Sequence, residues 1–305
     1  SYDTFTNEAE LQIMNAETIE KIERTISNHI YEETSNSSNA IGKCHEAISY
    51  YYFLKEFPLV SQVDYNECVK LLSKYYSLVK PEVLEKLFES TSTLVPAISE
   101  KLYEKYDYSL SIESIELIPE SYISDKLDTG DLQLVLKYNG EYFIEKISLK
   151  ALSKIGSKIT TKNPGIGTIL GEDYFNVGSI DDYVKEVKSK YLIGEITHRE
   201  SLELVSEIIG EQLLNASHNQ LKQGIMNLLG TALMAVTFYN DQLTICREHT
   251  AINSTISILR NTPTNIQNTL VWNDETEKIN LRVKFSRGQN HGWSSIKLTS
   301  EYQLN

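Results

Sequence analysis

Apolar positions along the chain change their spacing several times, and each change marks a new element. Leu11, Ile13, Met14, Ile19, Ile22 and Ile26 recur near the helical period and predict a helix over residues 6–32. The polar run Glu33–Asn39 ends it as a loop. Ile41, Ile48, Tyr51, Tyr52 and Leu54 predict a second helix over Ala40–Phe57, stopped by Pro58. Asp64 is placed to cap a third through Leu78, and Pro81 suits the first turn of a fourth through Phe88. Leu94, Val95, Ile98, Leu102 and Tyr106 predict a fifth over Leu94–Tyr106, capped by Ser92 or Thr93. At Ser109–Ile118 the period shortens to two, as in a half-buried strand, and Pro119 breaks it.

The same alternation returns from Asp131 to Lys150. Leu132, Leu134 and Leu136 form one strand face, and Phe143, Ile144, Ile147 and Leu149 fall in a second strand. Between them Tyr138-Asn139-Gly140-Glu141 holds the Asn-Gly pair of a two-residue hairpin turn. A hairpin folds its ends together, so Asp131 and Lys150 meet at one edge of the sheet. Ser148 and Lys150 share a face, and Glu145 has the opposite parity. Helical spacing then covers residues 199–237 as two helices, with Leu228, Leu229, Leu233 and Val236 at the end of the second. A helix capped at Ser179–Asp182 runs through Tyr191. Beyond, Phe238–Cys246, Leu270–Asn273, Lys278–Phe285 and Ser294–Leu298 read as strands. The pattern divides the chain into a helical support or dimerisation region over 1–90 and an α+β region over 91–305 that ends in a β-rich segment.

Hydrophobic residues make up 41% of the 305, enough for a substantial core, and no apolar run approaches a membrane span. The acidic N-terminal stretch is not a secretory signal, and Ser1 in place of Met suggests a processed chain. Cys44, Cys68 and Cys246 are scattered, which argues against a disulfide framework or a Cys-rich zinc site and fits a cytoplasmic protein. His198 and His218 read as surface or capping residues.

Net charge is −13, which on its face disfavours a nucleic-acid partner. The charge is uneven, however. Lys146, Lys150, Lys154, Lys158 and Lys162 form one basic segment. Lys278, Arg282, Lys284, Arg287 and Lys297 form another, with no acid between Lys278 and Ser300. DNA needs local positive charge, not a positive total. The loop Ser286–Trp293 adds Gln289 and Asn290 to Arg287, side chains that make paired contacts to base edges. The loop Asn163–Gly167 has two glycines that permit close backbone approach to a phosphate, without the Gly-Lys-Ser/Thr of a Walker loop.

Asp131 followed by Ser148-Leu149-Lys150 resembles the PD-(D/E)xK nuclease superfamily, type II restriction endonucleases in particular. The resemblance covers about residues 90–195 and implies an αβββαβ restriction-endonuclease-like core. It implies a Mg²⁺-dependent, sequence-specific endonuclease on double-stranded DNA, acting as a homodimer. Asp131, Ser148 and Lys150 take the catalytic positions, with Asp131 a metal ligand. Ser148 stands where an acid is usual, and the resemblance to Ser-x-Lys forms implies a carboxylate supplied from a helix. Glu104 on the preceding helix is the favoured donor, with Glu100, Glu145, Glu172 and Asp173 as others. Lys154, Lys158, Lys162, Arg282, Lys284, Arg287, Gln289 and Asn290 are the expected DNA contacts. Two other readings stand beside it: a non-catalytic DNA- or partner-binding protein retaining a nuclease-like core, and an unrelated α+β interaction protein.

Overall fold

The computed structural model describes residues 2–34, 37–64, 66–119 and 130–305, with the side chains of 2–6 and Gln289 outside that set. Helices α1 (Tyr2–Ser27) and α2 (Ser37–Glu56), the short strand β1 (Ser61–Gln62), and helices α3 (Glu67–Tyr75), α4 (Pro81–Thr91) and α5 (Leu94–Lys105) come first. Strands β2 (Ser111–Leu117), β3 (Leu132–Tyr138), β4 (Glu141–Leu152) and β5 (Lys158–Thr160) follow. Then come α6 (Ile166–Ile169), α7 (Asp181–Leu192), α8 (His198–Leu214) and α9 (His218–Leu229). The chain ends with β6 (Leu233–Phe238), β7 (Leu243–Arg247), β8 (Ser257–Leu259), β9 (Gln267–Trp272), β10 (Glu277–Phe285) and β11 (Ile296–Leu304). The class is α+β, as the pattern predicts.

The division into units differs from the expected break near residue 90. One unit comprises residues up to Ile155 with Ala232–Glu248, and the other Gly156–Thr231 with His249–Asn305. The N-terminal helices are no separate region: Ile22, Tyr50, Leu72 and Leu87 share one core with Ile115, Leu134 and Ile147 of the sheet. The reason lies in α2, which buries Ala40, Cys44, His45, Ala47, Ile48, Tyr50, Tyr51, Phe53 and Leu54. A helix apolar on nearly every side needs partners all round it, so helices and sheet close over it together.

The sheet of the first unit runs β1-β2-β3-β4-β6-β7. The β2, β3 and β4 strands are antiparallel neighbours, β6 lies parallel to β4, and β7 returns antiparallel to β6. The β3–β4 turn is as expected: Asn139 and Gly140 both have positive φ, 52° and 78°, the backbone of a type I′ hairpin. Two expectations on the later chain are corrected. Leu233 and Val236 are not helical but lie in β6, because Gly230 (φ 90°) ends α9 and the run Leu233–Phe238 is buried at every position. Burial on both faces removes the alternation that would mark a strand. Phe238–Cys246 is a reversal and not one strand: Phe238 closes β6, and β7 starts at Leu243 after a turn with Gln242 at φ 53°.

The second unit carries a five-stranded sheet, β5-β11-β10-β9-β8, antiparallel throughout. Leu281, Val283, Leu298 and Tyr302 are buried on its inner face, where α8 packs on β9 and β10. Helices α8 and α9 start with reciprocal capping boxes, Thr197 with Glu200 and Ser217 with Gln220. Against α9, Gly224 gives Phe175 its place: a Cβ there would lie 2.1 Å from the ring.

Candidate active site

The site begins where the β3–β4 ladder stops. Its last rung pairs Leu132 with Ile147. One residue earlier, Asp131 donates its N–H to the Ile147 carbonyl (2.8 Å), and its own carbonyl accepts from Ile118 N (2.9 Å). Two residues further along β4, Leu149 N donates to Asp131 Oδ2 at 2.7 Å. A side-chain carboxylate thus accepts from the β4 backbone at the fork between the strands. Gly130 makes this approach possible, because a Cβ there would fall 2.8 Å from Lys146 Cβ.

Beyond the fork, β4 continues beside β6 only, with Ser148 opposite Met234 and Lys150 opposite Val236. Ser148 is buried and Lys150 half-buried. A period of two puts both on one face, as the sequence predicts.

A second carboxylate near Asp131 comes from α2. Glu46 is half-buried and its carboxylate lies 3.6 Å from Lys43 Nζ, one turn back. Burial, and after it the charge of Asp131, push the Glu46 carboxyl up to about 7, against the pull of Lys43 and Lys150. Asp131 and Lys150 are both near enough for their charges to act on Glu46, which places the three side chains in one neighbourhood. The adjacent His45 fixes the helix. Its Nε2 is hydrogen-bonded to Thr237 Oγ1 on β6 at 2.8 Å, and burial pushes its pKa down to about 3, so it is neutral.

The other candidate carboxylates have different surroundings. Glu104 lies on the exposed side of α5, paired with Lys101 at 3.5 Å, so its helix is right for the fold but its side chain is engaged elsewhere. Glu145 has the opposite parity, as expected, and takes an ion pair from Lys105 (2.8 Å) and a hydrogen bond from Tyr106. Glu172 and Asp173 belong to the other unit. Glu46 escaped the sequence reading, yet it left a signal: it is the one acid between Ala40 and Leu54, a largely buried stretch whose other charged residue is Lys43. A lone acid in a mostly buried helix is a candidate for a site.

Could a divalent cation sit here? Among the described residues no group of three or more His, Cys, Asp or Glu side chains is arranged as metal ligands. Two acids, Asp131 and Glu46, do interact: burial, and after it the charge of Asp131, makes the Glu46 carboxyl resist ionising. Such a pair fits Mg²⁺, which takes one or two carboxylates and fills its remaining positions with water and phosphate.

The expected DNA contacts separate into groups. Lys154 and Lys158 are exposed, as are Arg282, Lys284, Arg287 and Asn290. The Gln289 side chain lies outside the described residues. Lys162 is turned inward: its ammonium donates to the Asn227 carbonyl at 2.7 Å and sits over the Tyr174 ring. His198 is likewise not a surface residue; its ring packs on Phe285, centroids 4.2 Å apart.

Over nearly its whole length the chain is similar to a type II restriction enzyme, with 54% identity across 303 residues, 99% of this chain. That relative is BsuRI of Bacillus subtilis, and the chain spans about half, 52%, of its length. No family model matches the chain.

Proposed function

We infer that the chain is a sequence-specific, Mg²⁺-dependent endonuclease that hydrolyses phosphodiester bonds in double-stranded DNA, with a PD-(D/E)xK-type site in its Ser-x-Lys form. The observation that carries this reading is the cluster of Glu46, Asp131 and Lys150 at the strand fork. The similarity to a type II restriction enzyme supports the reaction class. The order α5, β2, β3, β4, then β6 parallel to β4, supports a restriction-endonuclease-like core. The usual single crossover helix would then be replaced by residues 156–231 of the second unit.

In this reading Asp131 and Glu46 hold the cation, and Ser148 keeps the third position small and uncharged. A bound Mg²⁺ supplies charge neutralisation at the scissile phosphate and acidifies water. Asp131 is held by the Leu149 amide, so its carboxylate is oriented before substrate arrives. Lys150 directs its ammonium at the reacting phosphate, stabilises the charge that gathers there and orients the attacking water. Water's oxygen joins phosphorus as one P–O bond of the backbone breaks. A homodimer would supply one such site per strand. No described helix is long and apolar enough to cross a membrane.

A non-catalytic protein has one observation in its favour, Ser148 in place of an acid. The test is cleavage of mixed-sequence duplex DNA with Mg²⁺ by the parent chain and by Glu46→Ala. The endonuclease reading expects cutting by the parent and a higher Mg²⁺ requirement in the variant. Salt-sensitive binding without cutting would select the non-catalytic reading.

A further inference from the structure

The second basic segment of the sequence and Lys158 of the first share one face of the second sheet. In β10 the odd-numbered residues Leu281, Val283 and Phe285 point into the core, so Lys278, Arg282 and Lys284 lie on the other face, with Asn280 buried among its neighbours there. Register puts Lys297, Thr299, Glu301 and Gln303 of β11 on that same side, and Lys158 of β5 beside Gln303. Across these three strands Glu301 is the one acid on the face. The cations form no ion pair with an acidic group among the described residues. Lys278, at the far end, lines a hollow with Asp274 and Glu275. At the other end Lys284 lies directly opposite Lys297, with Arg282 two residues along the strand. Like charges facing each other across a pair of strands repel, with Cβ atoms roughly 5 Å apart. An anionic partner removes that repulsion.

Two loops flank this end. Ser286–Trp293 joins β10 to β11, and Gly165 bridges to Lys297. Trp293 packs on Phe285 and Tyr191, with centroids 5.0 and 5.7 Å away, which anchors the first loop while Arg287 and Asn290 stay exposed. From Lys278 to Lys284 the face runs roughly 20 Å at the rise of a β-strand, long enough to follow several phosphates of a duplex.

We propose that the outer face of β5, β11 and β10, centred on Arg282, Lys284 and Lys297, is the docking surface for the phosphate backbone of double-stranded DNA. The Ser286–Trp293 loop beside it then presents Arg287 and Asn290 to base edges. This rests on the endonuclease reading and assigns duplex positioning to the second unit. Phosphate contacts fix register and side-chain forks read sequence, so the face and the loop divide those tasks.

The test uses Lys297→Glu in the 305-residue chain. The substitution turns the facing lysine pair into an ion pair, so the unfolding midpoint does not fall. Binding to a labelled duplex, measured without divalent ions, is expected to weaken at least tenfold, on the order of what loss and reversal of a phosphate contact cost. The slope of log affinity against log salt should shrink by about one unit or more. A variant that binds with the parent's affinity and slope overturns the surface and leaves the endonuclease reading standing. A parent chain that neither binds nor cuts duplex overturns that reading and this proposal with it. Binding of the parent to vesicles of anionic phospholipid, lost in Lys297→Glu, with no duplex binding, assigns the face to a membrane and also overturns it.

Discussion

Glu46 would link folding to cation binding through one carboxyl group. Its pKa in the folded chain is about 7, above the 4.5 of an ordinary glutamate, because burial and Asp131 disfavour the charged form. Between those values the folded state holds a proton that the unfolded state has lost. The stabilisation is therefore complete below about pH 4.5, declines as pH rises, and is gone above about 7. The span corresponds to roughly 3 kcal/mol. His45 runs the other way, since its neutral form is favoured and stability is lost as pH falls below its ordinary value of 6.5. The difference between the parent and Glu46→Gln isolates the first effect. In chelator, the variant should gain stability on the parent as pH rises from 5 to 8, measured by denaturant unfolding; parallel curves would remove Glu46 from the cluster. Asp131→Ala and Lys150→Ala should each lower Mg²⁺-dependent cleavage by orders of magnitude while duplex affinity stays near the parent's. Lys158→Ala should cut normally at saturation but bind with a salt slope about one unit smaller. Full activity in Asp131→Ala, or lost affinity alone in Lys150→Ala, would contradict these roles.

At the scale of elements, the fork between β3 and β4 depends on the absence of one carbon. Gly130→Ala puts a methyl group 2.8 Å from Lys146 Cβ, both atoms close to backbone. The start of β3 has to move, and the bond from Leu149 N to Asp131 weakens with it. Cleavage is expected to fall at least tenfold with a loss of about 1–3 kcal/mol in stability, read by turnover and unfolding on the same preparation. An unchanged rate would mean the carboxylate is not positioned by the fork. These elements also show what the sequence made legible. The Asn139-Gly140 turn, the five N-terminal helices, and the shared face of Ser148 and Lys150 follow from turn chemistry and periodicity alone. Glu46 did not, because its nearness to Asp131 is a tertiary fact that no spacing records. The β6 strand did not either, since burial on both sides gives it no alternation. The choice of Glu104 followed from its position one helix before the sheet, but that helix turns the side chain to solvent.

Over the whole molecule, the first unit cannot complete its sheet until the chain has been through the second. Strand β4 ends at Leu152, yet its parallel neighbour β6 starts at Leu233. A chain cut after Ile155 lacks β6 and β7 and exposes Ile147–Leu152 as an edge strand. Such edges template aggregation, so this fragment should be insoluble or self-associated where the whole chain is not, as size-exclusion chromatography would show. A monodisperse folded fragment would contradict the dependence of unit 1 on β6. The acidic total and the basic sheet face have a similar global meaning. A net charge of −13 repels DNA at long range, so in the endonuclease reading the local cations would have to outweigh it at contact.

The chain passes between the units three times, after Ile155, Thr231 and Glu248. A single proteolytic nick in one passage would therefore leave the halves stitched together. After a cut at the first passage, the downstream piece still carries β6 and β7, whose rungs with β4 run from Ile147–Leu233 to Leu152–Phe238.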